Sequence, residues 1–105
     1  MEQPNLDYIN ELSGGDAAFE DKLILVIKTE WPEEVQEYEM NMENSAFAKA
    51  ALNVHKIKHK LGIVGLVEGY ELAVQYELDL KAGNTSQKES FQTVLDRVTH
   101  FINQL

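Results

Sequence analysis

Apolar residues recur three or four positions apart along almost the whole chain, which predicts helices nearly throughout. A short first helix is expected from about Asn5 to Leu12, ended by the break Ser13-Gly14-Gly15. Asp16 is a good N-cap for a second helix carrying Phe19, Leu23, Val26, Ile27, Trp31, Val35, Tyr38 and Met42. Pro32 falls inside that helix, removes a backbone donor and predicts a kink or a split near Glu30 and Trp31. Asn44-Ser45 offers the cap for a third helix, from about Ser45 to Gly62, with Phe47, Ala51, Val54, Ile57, Leu61 and Val64 as its apolar stripe. A turn over Gly62 to Gly65 follows. The fourth helix is expected from Leu66 to Lys81, with Leu66, Tyr70, Ala73, Val74, Glu77 and Leu80 around its inward face, Glu77 being the odd member. Gly83-Asn84 closes it in the left-handed manner. Thr85 or Ser86 then caps a fifth helix bearing Phe91, Val94, Leu95, Val98, Ile102 and Leu105.

One short helix and four long amphipathic ones with brief connections predict an all-α fold. The expected arrangement is an up-and-down four-helix bundle with a short extra N-terminal helix, in a single domain over residues 1–105. The hydrophobic share of 44% is enough for a core. There are no cysteines, which excludes disulfides and thiolate metal sites and points to a reducing compartment. The opening MEQPNLDYIN has neither the basic start nor the apolar run of a signal peptide, and the apolar run from Leu23 to Ile27 is far too short to span a bilayer. The initial Met and short lead favour a free-standing, cytoplasmic protein, expected to be a monomer.

The net charge of −9 disfavours nucleic acid and anionic lipid as partners. The charge is uneven, however. From Asn44 to Leu66 there is no acidic residue, while Lys49, Lys56, Lys58 and Lys60 all fall there, with two of the three histidines. Such an island suits an anion or an acidic partner as well as it suits a solvated helix face.

On the third helix, at about 100° per residue, His55 lies about 120° from the centre of the apolar stripe and His59 further round, so both are expected at the surface. Lys58 follows His55 by three residues, no carboxylate is expected nearby, and Gly62 two turns on opens space beside the ring. Three readings compete. A phosphoryl acceptor needs a reachable, neutral imidazole; nearby cations favour that form, and a lysine one turn away offsets the incoming charge. The second reading is a metal site, since His55 and His59 have the i, i+4 spacing of helical ligands; the residues between them are Lys-Ile-Lys, which disfavours a dication. The third is a pair of surface histidines with no role. The segment Leu23-Ile24-Leu25-Val26-Ile27 cannot face inward as a whole, so Leu25 or Ile24 is expected at the surface beside the third helix. There it would be either a boundary residue under the first helix or part of a docking patch.

The stretch Val54-His55-Lys56-Ile57-Lys58-His59-Lys60-Leu61-Gly62-Ile63-Val64-Gly65-Leu66 resembles the signature of histidine-containing phosphotransfer domains. So do Leu6-Asp7-Tyr8-Ile9, Leu12-Ser13-Gly14-Gly15-Asp16 with Phe19, and the Gly83-Asn84 break; the resemblance runs from about Asn5 onward. It implies a relay in which His55 takes a phosphoryl group from a receiver-domain aspartate and passes it to another, between a hybrid histidine kinase and a response regulator. Lys58 falls on the family's lysine and Gly65 on its later glycine. His59 stands where the family usually has glycine, as a possible secondary contact to the phosphoryl site. The resemblance implies no cofactor in this chain, with Mg²⁺ belonging to the receiver; docking is expected through Lys56, Gly62, Gly65 and Leu25. No Gly-rich phosphate loop is present, so the chain is expected to carry phosphate without being an enzyme. The alternatives are a helical docking module that transfers nothing, or a histidine-based metal-binding bundle.

Overall fold

The computed structural model describes residues 2–105. It is all-helical: α1 (Asp7–Ser13), α2 (Ala17–Glu43), α3 (Phe47–Ile63), α4 (Val67–Lys81) and α5 (Lys88–Asn103). The molecule measures 44 × 24 × 19 Å. Helix α3 packs most extensively on α4 and next on α2, while α5 touches both α2 and α4, and α1 rests on α2.

Local chemistry explains most of the boundaries. Gly14 ends α1 in the left-handed region, with φ of 57°. Asp16 caps α2 as expected, its carboxylate accepting from the Phe19 N–H at 3.1 Å. Three expectations are corrected. Helix α2 is not split: it runs unbroken for 27 residues through Pro32. Pro32 is exposed while Trp31, Ile27 and Tyr38 are buried, so the ring sits in solvent and core packing holds both halves together. Asn44-Ser45 does not cap α3; Ser45 takes a positive φ of 54° and closes α2, and Ala46 opens α3 without a side-chain cap. Neither Thr85 nor Ser86 caps α5, which Gln87 opens, also without a side-chain cap.

The inward face of α4 is also different from the expected one. Leu66, Gly69, Ala73, Tyr76 and Leu80 are buried, whereas Tyr70 and Val74 are exposed. Apolar residues surround this helix, so periodicity alone did not fix its phase. The buried faces of α3 and α5 follow their stripes closely, apart from Phe47, which is half-buried, and Leu105, which is exposed.

The core centres on Trp31, Tyr38, Tyr76 and Phe91. Phe91 lies 5.4 Å from the Tyr38 ring and 5.0 Å from the Tyr76 ring, joining α2, α4 and α5. The two buried phenols meet at 2.7 Å, and the Tyr76 hydroxyl donates on to Met42 Sδ at 3.9 Å. Trp31 Nε1 donates to Thr99 Oγ1 at 2.9 Å, and Asn41 Nδ2 donates to the buried Asn53 Oδ1 at 2.6 Å. These polar groups are therefore satisfied where they are buried. The N-terminal segment closes one end: Glu2 accepts from the Glu68 and Gly69 N–H groups at 3.0 and 2.7 Å, capping α4 from outside.

Candidate functional site

The site forms where the outer edge of α3 meets α4. His55 is buried on neither helix: half of its side chain is exposed. Its Nδ1 lies 3.1 Å from Glu77 Oε1, a carboxylate 22 positions away in the chain. The expectation that no carboxylate lies near His55 is thus corrected, because the α3–α4 turn brings one back. Lys58 Nζ lies 3.4 Å from the same Oε1 and 3.3 Å from His55 Nδ1, while Lys81 Nζ reaches Glu77 Oε2 at 3.3 Å. Lys58 and Glu77 are nearly covered, with 12% and 13% of their side chains exposed, and the Lys58 ammonium lies 5.8 Å from the centre of the Tyr70 ring.

Partial burial alone would raise the Glu77 pKa. The hydrogen bonds to His55 and Lys81 and the charge of Lys58 together outweigh it and hold the carboxyl below the ordinary carboxylate value. Glu77 is therefore an anion at neutral pH. An anionic acceptor at 3.1 Å favours a proton on His55 Nδ1, with Lys58 as a second donor to the same oxygen. Nε2 then carries the free lone pair. It makes no hydrogen bond within the described residues, and it lies across the ring from the atom turned toward α4.

His59 is exposed one turn further along α3, with its ring centre 5.2 Å from that of His55 and the planes at 88°. Among the described residues, no three His, Asp or Glu side chains converge as a metal-ligand group. Two of the four lysines of the basic island, Lys58 and Lys60, are paired with carboxylates. Lys60 bonds Glu30 at 2.9 Å and Glu34 at 3.0 Å. Burial opposes its charge, but the two carboxylates prevail and raise its pKa. Lys49 and Lys56 instead border an open groove of about 520 Å³ beside His55, with Glu37, Asn41, Leu52 and Asn53.

The docking residues expected from the sequence scatter. Lys56 is exposed beside His55, and Gly62 is exposed two turns on, next to Tyr70. Gly65 has a positive φ of 82°, and a Cβ there would stand 2.8 Å from the Asn5 side chain, so this glycine is required where the N-terminal segment crosses the α3–α4 turn. The Asn5 N–H donates to Val64 O across the same junction. Leu25 is exposed at 64%. Glu34 stands level with Lys60, so Leu25 lies nine residues beyond it, about 13 Å further along α2 and away from His55. The residue missed as part of the site is Glu77. Its signal in the sequence was a lone acid within an apolar face, and only the pairing of α3 with α4 gives that acid a partner.

Comparison of the chain with family models, with curated proteins and with solved structures returns no match.

Proposed function

We propose that this chain is a phosphotransfer protein in which His55 accepts a phosphoryl group from a receiver-domain aspartate and returns it to another. The observation that carries this reading is the His55 ring held by Glu77 through Nδ1, with Nε2 free. In the transfer, the Nε2 lone pair attacks phosphorus, the P–O bond to aspartate breaks, and the carboxylate leaves with the electron pair. The Nδ1 proton stays in place, so the product ring is a cation whose charge Glu77 balances. Lys58 Nζ lies on the Nδ1 side of the ring, bonded to Glu77, and turns from that pair to offset the phosphoryl oxygens on Nε2. No general base is needed, because the attacking nitrogen carries no proton. Mg²⁺ would belong to the receiver.

The same reading takes the fold to be an up-and-down four-helix bundle of α2 to α5 with α1 as an accessory. The pairs Asn41–Asn53 and Glu34–Lys60, then Lys58–Tyr70 and His55–Glu77, run in opposite senses along successive helices, which supports it. It takes the protein to be cytoplasmic and monomeric, with receivers of a hybrid kinase and a response regulator as partners. No helix is long and apolar enough to cross a membrane among the described residues. The second reading is a docking module that transfers nothing, favoured by the bulk of His59 beside His55.

A receiver domain charged with acetyl phosphate and Mg²⁺ separates the two readings. Transfer predicts acid-labile, base-stable phosphate on the wild type and on His59→Gln, and none on His55→Gln. Receiver binding that is indifferent to His55→Gln, without any transfer, supports the docking module.

A further inference from the structure

The imidazole of His59 is the other chemically active group at this site, and the transfer step above leaves it unused. Its ring stands edge-on to that of His55 at 5.2 Å, one helical turn away. His55 turns Nδ1 toward Glu77 on α4, and both His55 and His59 are exposed, which leaves Nε2 as the ring nitrogen not held by α4.

We propose that His59 is a positioning residue for the phosphorylated state: when protonated, it donates a hydrogen bond to the phosphoryl oxygens on His55 and so makes retention of the phosphoryl group pH-dependent. This rests on the phosphotransfer reading of His55. An imidazole is the one ordinary side chain that gains a charge between roughly pH 8 and pH 5. A dianionic phosphoryl group one turn away favours the charged form, and reciprocally the charged form favours the phosphorylated state by the same factor.

The charged surroundings of His59 leave it available for this role. On its own helix it neighbours His55 and Lys56. From α4, Glu77 and Tyr70 engage His55 and Lys58. From α2, Glu30 and Glu34 are taken up by Lys60. His59 itself has no hydrogen bond or ion pair within the described residues.

The test is the position of the transfer equilibrium between a receiver charged with acetyl phosphate and the wild type or His59→Gln, from pH 8.5 to pH 6. The receiver's own pH dependence is common to both proteins and cancels in the ratio of the two equilibrium constants. The expected ratio is near unity at pH 8.5 and rises to about fivefold in favour of the wild type at pH 6, the scale of one exposed charge-assisted hydrogen bond. His59→Lys should hold the wild-type advantage at both pH values. A ratio that stays constant with pH overturns the role of His59 while leaving His55 as acceptor. Absence of transfer to every variant overturns both readings together.

Discussion

Glu77 Oε1 and His55 Nδ1 lie 3.1 Å apart, so α4 supplies the hydrogen-bond acceptor that orients the imidazole displayed by α3. Replacing Glu77 with Ala should slow phosphoryl transfer to His55 roughly tenfold or more, the scale of one charge-assisted hydrogen bond. Glu77→Gln should lie between Ala and the wild type, because the amide oxygen can still accept from Nδ1–H. Single-turnover transfer from a charged receiver measures both.

The same carboxylate links stability to pH. Its folded-state pKa is depressed, so its stabilising contribution is complete above the ordinary carboxylate range and is lost as pH falls through its lowered value. Thermal unfolding should therefore show the wild type more stable than Glu77→Gln at pH 7, with the difference narrowing toward pH 3.

The Tyr38–Tyr76 pair is a buried polar contact that satisfies itself. Burial, the first cause for both residues, pushes both phenols above their ordinary pKa, so neither ionises in the folded protein at moderately alkaline pH. Tyr76→Phe leaves the Tyr38 hydroxyl without its 2.7 Å partner and should cost about 1–3 kcal/mol. The double variant Tyr38→Phe/Tyr76→Phe should cost less than the sum of the two single changes. Urea titration of the four proteins of that cycle measures the coupling.

Pro32 offers the opposite sign. It sits exposed within the unbroken α2, where the residue lacks an N–H. Pro32→Ala restores a hydrogen bond at a position that makes no core contact of its own, and should raise stability by about 1–3 kcal/mol. A fall in the midpoint of thermal unfolding would show that the proline ring makes a contribution beyond its backbone effect.

Glu2 caps α4 from 66 residues away, through the N–H groups of Glu68 and Gly69. Glu2→Ala should cost about 0.5–2 kcal/mol and speed amide exchange at Glu68 and Gly69 first.

The helices were legible because four of the five carry apolar residues in phase with a 3.6-residue period, and the wheel placed His55 and His59 outside on that basis. Phase failed on α4 and in the first turns of α2, where Phe19 and Val26 are exposed, and the break expected at Pro32 failed separately. On α4, Val67, Tyr70, Val74 and Leu78 lie on the exposed side as apolar residues, so the stripe that enters the core, through Gly69, Ala73 and Tyr76, could not be singled out. At Pro32, a local rule predicted a break that burial of the neighbouring Trp31 overrides. The site was half legible. His55, Lys58 and His59 share one helix, so their spacing fixes their mutual position. Glu77 acts from another helix, and its place depends on the register of α3 against α4, which no local pattern records. The same applies to Gly65, whose requirement for glycine comes from Asn5, at the far side of the chain's N-terminal segment.

In the proposed transfer, His55 accepts phosphate at Nε2 while Nδ1 keeps its proton on Glu77. Phosphorylation of ¹⁵N-histidine-labelled protein by a charged receiver, followed by ³¹P–¹⁵N correlation NMR, reads the acceptor atom directly. One-bond phosphorus coupling is expected at His55 Nε2, with the Nδ1 proton retained. Coupling at His55 Nδ1, coupling at His59, or no phosphorus on histidine would contradict it.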